Sequence, residues 1–309
     1  MILTVTLNPV LDKSVSIDKI VPDQKLRCSN PICYAGGGGI NVSKGIRKLE
    51  GNSISLFPSG GANGKKIEMI LSEAGISTQI VPVDFETRES FIVNTSMTHQ
   101  QYRFNTPGES VSSEILQTIF EKIISFKPEI LVVSGSLPLG APMNTYAEIA
   151  KLAKTLGSKM ILDTSGDALK SAAESGVYLL KPNIGELCNL VGVESLELDL
   201  VDEAAQSIIE KGYCEVAVVS LGAAGALLVT KDFYQHFPAP PVKKVSTVGA
   251  GDSMVAGMTL ALSEGKSLIE MVQLGVACGT AATMNPGATL FKKEDVHTLL
   301  NYIKRKNKN

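Results

Sequence analysis

Residues able to do phosphate or proton chemistry fall in a few short clusters. In Thr247-Val248-Gly249-Ala250-Gly251-Asp252-Ser253, glycines open a helix-like run with a carboxylate in its first turn. Glycines strip side chains from a helix N-terminus and leave backbone N–H groups open to an anion. Asp252 then has two readings. It is a dipole-complementing acid worth about 0.3–1 kcal/mol, or it takes a proton from a hydroxyl while Gly249, Ala250 and Gly251 hold the phosphoryl group under attack. A second cluster, Gly36-Gly37-Gly38-Gly39-Ile40-Asn41-Val42, leads into a helix ending near Gly51. It is either a flexible turn or a place where a ligand approaches backbone N–H groups. It is no dinucleotide fingerprint, because Asn41 or Val42 stands where GxGxxG needs its third glycine.

Two further clusters follow strand-like runs. Lys181-Pro182-Asn183-Ile184-Gly185-Glu186 comes directly after Tyr178–Leu180, and strand ends are where open α/β sheets bind ligands. Asn183 and Glu186 could share one face of a helix start and hold the water shell of Mg²⁺, or simply cap a surface helix. Ser220-Leu221-Gly222-Ala223-Ala224-Gly225 offers small residues that could flank a nucleotide. Lys25, Arg27, Arg88 and Arg103 are scattered surface charges when taken singly, and suit a substrate phosphate when taken together. Gly265-Lys266-Ser267 imitates the end of a P-loop, but the first glycine of that motif would fall on Leu260.

The elements that must position these groups alternate. Ile2–Leu7, Ser53–Phe57, Ile130–Val133, Lys159–Leu162, Tyr178–Leu180 and Val216–Ser220 are short apolar runs, and amphipathic stretches such as Lys65–Ala74, Ser112–Phe126 and Asn144–Leu156 lie between several of them. That order predicts a largely parallel sheet with helices on both faces. Three helices are expected in succession from Gly251 to about Lys304, broken near Gly265 and Asn285–Gly287. Segments 13–34 and 88–106 instead alternate in period two with no intervening helix. They predict antiparallel hairpins in a small separate sheet, polar on one face and apolar on the other, fit to cover a ligand or pair with a second subunit.

The composition of the 309 residues, 44% hydrophobic and 19% charged, excludes a disordered chain. Lys+Arg number 29 against 31 Asp+Glu, a net charge of −2, so no bulk basic field is available for nucleic acid or an anionic membrane. Five cysteines (28, 33, 188, 214 and 278) with no CxxC read as reduced, mostly buried thiols rather than a disulfide frame or zinc site. His99, His236 and His297 lack metal-ligand spacing. The N-terminus reads as a first strand and not a signal peptide, and Val216–Val229 is too short and glycine-rich to span a bilayer. A soluble cytoplasmic protein is expected.

TLNPVLD at the start, GGGGINV, SGSLP at 134–138, KPNIGE and above all STVGAGDSMVAG at 246–257 resemble the ribokinase-type, or PfkB-family, sugar kinases. The similarity runs over essentially the whole chain in the family's order. The TLNP start is similar to the phosphosugar branch. KLRC, FPSGG, QYRF followed by PG, and VSLG resemble its 6-phosphofructokinases, and Gly38 stands where 1-phosphofructokinases and tagatose kinases carry a lysine. The resemblance implies a single ribokinase-like α/β domain over 1–309, three-layered, with lid or dimer-clasp segments at about 13–34 and 88–106. It implies ATP-dependent phosphorylation of fructose 6-phosphate. The alternatives are a tagatose-6-phosphate kinase, a 1-phosphofructokinase, or a non-catalytic sugar-phosphate sensor of the same fold. By the same resemblance Asp252 is the base and Gly249, Ala250 and Gly251 the anion hole. Asp12, Gly36, Gly37, Asn41 and Ser136 hold the sugar, and Lys25, Arg27, Arg88 and Arg103 meet its phosphate. Lys181, Asn183, Ser220, Gly222 and Gly225 line the ATP site, and Glu186 acts on Mg²⁺ through water. Ser246, Val248, Ala282, Asn285 and Gly287 match a K⁺ site. A homodimer through the lid is implied, with a phosphosugar as the only other partner.

Overall fold

Four consecutive residues, Ile130 to Val133, are all buried. A strand manages that only when its sheet is covered on both faces. The computed structural model describes residues 1–98, 100–286 and 289–306. Its main sheet has nine strands: β1 (Ile2–Val5), β4 (Ile54–Ser59), β5 (Ser77–Pro82), β8 (Ile130–Ser134), β9 (Lys159–Asp163), β10 (Val177–Leu180), β11 (Cys214–Ser220), β12 (Ala226–Val229) and β13 (Tyr234–Phe237). Their order is β13-β12-β11-β10-β9-β8-β1-β4-β5. From β5 to β11 every pairing is parallel; β12 and β13 close one edge antiparallel. The mixed α/β fold expected from the alternation is therefore present.

Period-two alternation divides the core. Leu131 and Val133 face one layer, with Tyr146, Ile149 and Leu169, while Ile130 and Val132 face the other. The first layer holds α3 (Ser113–Phe126), α4 (Thr145–Leu156), α5 (Gly166–Glu174), α6 (Ile184–Val191) and α7 (Val201–Glu210). The second holds α1 (Gly38–Lys48), α8 (Ala250–Ser263), α9 (Leu268–Thr283) and α10 (Lys293–Lys306). The last three are the helices expected at the C-terminal end. Every residue of α8 from Ser253 to Ala261 is buried, as befits a helix apolar all round and enclosed by protein. Ser267 and Glu270 form a capping box at the start of α9, so Gly265-Lys266-Ser267 is a helix-to-helix turn.

A second sheet orders β3 (Ile32–Gly36), β2 (Val10–Ile17), β6 (Glu89–Thr95) and β7 (Gln101–Asn105). β2–β3 and β6–β7 are antiparallel, as the alternation predicts, but β2 and β6 run parallel. Residues 18–31 form no strand, so the strand-like reading of 13–34 holds only at its two ends. Register puts Asp12, Ser90 and Arg103 on one face and Lys13, Phe91, Tyr102 and Phe104 on the other. On that second face Phe91 is 40% and Phe104 54% exposed. α2 (Gly61–Glu73) packs beneath, with Ile67 and Leu71 against Leu11 and Ala35. All five cysteines are free; Cys188, Cys214 and Cys278 are buried, but Cys28 is exposed and Cys33 only partly covered, because both lie in this outlying unit. Among the described residues no helix is long and apolar enough to cross a membrane.

Candidate active site

The parallel strands deliver their following loops to one edge of the sheet, where the motifs converge. At the start of α8, Gly249 is the N-cap with φ 71°, a left-handed conformation suited to glycine, and a Cβ there would stand 2.7 Å from Leu290 Cδ2. No side chain caps this helix; the Ala250 N–H turns back to the Thr247 carbonyl at 3.3 Å, while the Gly251 and Asp252 N–H groups have no hydrogen-bond partner among the described residues. Asp252 sits among them. Burial, then the neighbouring Asp163, push its carboxyl up to about 6, against the hydrogen bond from Asn41 and the charges of Lys181 and Lys44.

Asn41 comes from the first turn of α1 and donates from Nδ2 to Asp252 Oδ2 at 2.9 Å. The glycine run before it is a close-packed joint and not a flexible turn. A Cβ on Gly38 would collide with Ser134 Oγ and lie 2.7 Å from the Gly135 nitrogen. Ile40 N–H donates to Thr6 Oγ1 at 2.8 Å, tying α1 to the end of β1. One turn on, Lys44 Nζ donates to Asn41 Oδ1 at 3.1 Å and to the Ala35 carbonyl at 2.8 Å. Burial lowers the Lys44 ammonium to about 8, although Asp12 and Asp252 pull the other way.

On the polar face of the small sheet, Ser90 Oγ donates to Asp12 Oδ1 at 2.5 Å, and Gly36 leaves room for the same carboxylate. Arg88 donates from Nη2 to the Asn8 carbonyl and from Nη1 to the Thr106 carbonyl, both at 3.3 Å, while its buried Nε has no partner among the described residues. Burial pulls both Arg88 and Arg103 below the ordinary arginine value, with Asp12 opposing. Asn8 Nδ2 donates to Ser136 Oγ at 3.3 Å, bringing Ser136 to the same corner. Lys25 and Arg27 lie exposed in the 18–31 segment and take no part in these hydrogen bonds among the described residues.

Next along the sheet edge, Lys181, 6% exposed, pairs with Asp163 at 3.1 Å. Burial lowers the Lys181 ammonium, but Asp163, Glu186 and Asp252 outweigh it and leave its pKa raised. Asn183 and Glu186 form a complete capping box on α6, realising the capping alternative. The Glu186 carboxyl is half-buried and its pKa is raised, chiefly by that burial. Asn183 is bridged to Ser220 at the end of β11. Gly222 and Gly225 form the turn into β12, and Gly225 packs against the backbone of Phe237–Ala239, so its small size has a packing cause of its own.

Val245 and Ser246 N–H groups donate to the Thr283 carbonyl at 2.7 and 3.1 Å. Val248 N–H meets Ser246 Oγ at 3.2 Å, and Asn285 N–H meets the Ala282 carbonyl at 3.2 Å. Ser246, Val248, Ala282 and Asn285 thus come from two segments held side by side; Gly287 lies outside the described residues. Sequence reasoning missed Thr6, Asn8, Lys44 and Asp163. Asp163 at a strand end and Lys44 one helical turn after Asn41 were signals open to it.

A carboxylate poised near neutrality at an uncapped helix start, between a basic sheet face and a lysine–carboxylate pair, is the arrangement of a phosphotransferase acting on a hydroxyl group. The comparisons agree. A profile described as pfkB family carbohydrate kinase matches residues 5–295, and the chain belongs to that family. It is 41% identical over 297 residues to ATP-dependent 6-phosphofructokinase isozyme 2 of Mycobacterium tuberculosis (96% of this chain, 87% of the relative). It is 40% identical over 306 residues to the protein of the same name from Escherichia coli K12 (98% and 99%). A 1-phosphofructokinase of Bacillus subtilis is 33% identical (98% and 99%). Crystal structures of Escherichia coli phosphofructokinase-2 superpose at 40% identity with potassium (TM-score 0.95) and 39% with fructose-6-phosphate (0.93), each covering 98% of this chain and 99% of that one. A tetrameric inhibited form of the same protein also matches, at 40% identity and TM-score 0.93 over the same shares of the two chains.

Proposed function

We propose that this chain transfers the γ-phosphoryl group of ATP to the 1-hydroxyl of fructose 6-phosphate, as a glycolytic enzyme of the cytoplasm. The observation that carries the reading is Asp252, held by Asn41 at the uncapped start of α8 with a pKa of about 6. Such a carboxylate is ionised at neutral pH yet basic enough to accept a proton as an oxygen–phosphorus bond forms. The 1-hydroxyl gives its proton to Asp252, its oxygen bonds to the γ-phosphorus, and the bond to the β-phosphate oxygen breaks to leave ADP. N–H groups of the Gly249–Ala250–Gly251 turn hold the charge that gathers on the transferring oxygens, with that of Ala250 exchanging its 3.3 Å bond to the Thr247 carbonyl for the phosphoryl group.

Asp12, Gly36, Gly37, Asn41 and Ser136 orient the sugar, and Arg88 and Arg103 take the 6-phosphate, with Lys25 and Arg27 reaching it from the 18–31 segment. Arg88, held at that face by its bonds to the Asn8 and Thr106 carbonyls, offers the planar guanidinium that suits a phosphate. Lys181, Asn183, Ser220 and the Gly222–Gly225 turn line the ATP side. Glu186, a half-buried carboxylate near Lys181, fits a hard cation held through water, and bound Mg²⁺ would neutralise charge on the ATP phosphates. Ser246, Val248, Ala282 and Asn285, on two segments tied by the bonds of Val245 and Ser246 to the Thr283 carbonyl, would hold K⁺ through backbone and side-chain oxygens. The small sheet serves as the lid, and its exposed Phe91–Phe104 face joins two copies into a homodimer.

A 1-phosphofructokinase is the second reading, kept by the 33% identical relative. Gly38 counts against it, because the 1-phosphofructokinase lysine has no room beside Ser134–Gly135. Steady-state rates with fructose 6-phosphate, fructose 1-phosphate and tagatose 6-phosphate decide. Fructose 6-phosphate should give the highest kcat/KM and tagatose 6-phosphate a lower but real one. Equal or higher kcat/KM with fructose 1-phosphate would overturn the assignment.

A further inference from the structure

We propose that Lys44 is a positioning residue: its ammonium orients the Asn41 amide and, through it, the Asp252 carboxylate, so that turnover needs Lys44 charged. This rests on Asp252 acting as the proton acceptor described above. An ammonium has donors and no acceptor, whereas a primary amide has one accepting end and one donating end. With Nζ 3.1 Å from Oδ1, Asn41 must present oxygen to Lys44 and its NH₂ group to Asp252, 2.9 Å away on the other side. The Ala35 carbonyl at 2.8 Å anchors the ammonium at the end of β3. The result is a chain of hydrogen bonds from one sheet, through α1, to the start of α8.

That chain ends on a carboxylate, so charge and geometry act together. Ionised Asp252 accepts from the amide NH₂; protonated Asp252 would favour the amide's oxygen instead, an orientation that the Lys44 ammonium opposes. A neutral amine at position 44 could accept as well as donate, and the amide would lose its fixed direction. The charged groups facing Lys44 are Asp12 from β2, Asp252 from α8 and Lys48 from its own helix. Those facing Asp252 are Asp163, Lys181 and Lys44. The two carboxylates hold Lys44 charged against its burial, and Lys44 in turn helps hold Asp252 ionised. A role limited to tying α1 to β3 would require the ammonium–carbonyl contact alone and would leave proton acceptance untouched.

The test uses Lys44→Met and Lys44→Arg in the full-length enzyme, with kcat and both KM values followed across pH. Lys44→Met should lower kcat by roughly tenfold or more, equivalent to about 1.4 kcal/mol, with KM for ATP little changed. Its acid limb should move to higher pH and its alkaline limb near pH 8 should vanish. Lys44→Arg, always charged, should recover most of kcat and carry the active plateau to higher pH. A folded Lys44→Met enzyme with the wild-type pH profile would overturn the proposal. So would a Lys44→Arg enzyme as impaired as Lys44→Met, which would mark a packing role. Should Lys44→Met not fold, a Lys44→Arg profile that keeps the wild-type alkaline limb overturns it equally. The titration of the Asp252 carboxyl carbon by NMR, in protein without substrates, separates this inference from the substrate assignment. Its midpoint should rise in Lys44→Met whichever sugar is phosphorylated, and an unmoved midpoint sinks the proposal even if fructose 6-phosphate is the substrate.

Discussion

Asp252 is costly to the fold as well as useful to it. Its folded pKa of about 6 lies above the ordinary 3.8 because burial penalises the charge. A raised carboxyl pKa contributes stability that is present below the unfolded value and is lost as pH rises through the folded one. Asp252→Asn should therefore melt above the wild-type protein at pH 8, with the gap closing toward pH 4; a constant gap across that range would show that the carboxylate is not strained by its surroundings. The same variant should lose about 10²–10⁴-fold in kcat while still binding ATP. Near wild-type turnover would leave Asp252 as a helix-end acid only. This residue was legible in the sequence because its glycine neighbours are unusual before a helix. Lys44 was not, since a lysine on an amphipathic helix ordinarily faces water. Its spacing one turn after Asn41 was a hint, but its enclosure comes from groups distant in sequence, Asp12 on β2 and Asp252 on α8, which no local pattern reveals.

At the scale of elements, the joint between α1 and β8 carries much of the site. Gly38 lies against the backbone at Ser134–Gly135, and Gly135 N–H in turn reaches the Asp163 carbonyl at 3.0 Å. A methyl group at position 38 must move one of these segments. Gly38→Ala should cost about 1–3 kcal/mol, the usual range for overpacking, visible as a lower melting temperature. It should also depress kcat/KM for the phosphosugar by displacing Ser136 and Asn41. An alanine variant of unchanged stability and activity would show the joint to be pliable. Strands β1, β4, β8, β9, β10 and β11 were legible as apolar runs, because parallel strands buried on both faces are mostly apolar, with small hydroxyl residues such as Thr4 and Ser55 among them. β12 lay unmarked within the apolar stretch Val216–Val229, where Gly222 and Gly225 make the turn. β5 and β13 were missed: edge strands carry exposed and polar positions, such as Ser77, Thr78 and Tyr234, that blur the pattern. The small sheet was readable from period-two alternation, but its parallel β2–β6 pairing was not, since alternation is blind to strand direction.

For the molecule as a whole, the exposed face of the small sheet is the least settled surface. Phe91, Tyr102 and Phe104 line it in register with Lys13. Pairing with a second copy would cover them, so Phe104→Asp should elute as a monomer in light-scattering chromatography. If Lys25 and Arg27 reach the phosphate through that pairing, KM for the phosphosugar should rise in parallel; a variant that remains associated would place the contact elsewhere. A different consequence follows from the distance in sequence between Asn41 and Asp252, which lie 211 positions apart. A chain leaves the ribosome from its N-terminus, so the groups on β2 and α1 proposed to hold the sugar emerge first. Asp252, the proposed base, and its helix follow only after roughly 10–50 s at ordinary rates of elongation. Throughout that interval the growing polypeptide lacks the proposed proton acceptor. On the proposed role of Asp252, competence to transfer phosphate arrives late, when α8 docks between α1 and α9, and a chain released early from the ribosome would be inert as a kinase.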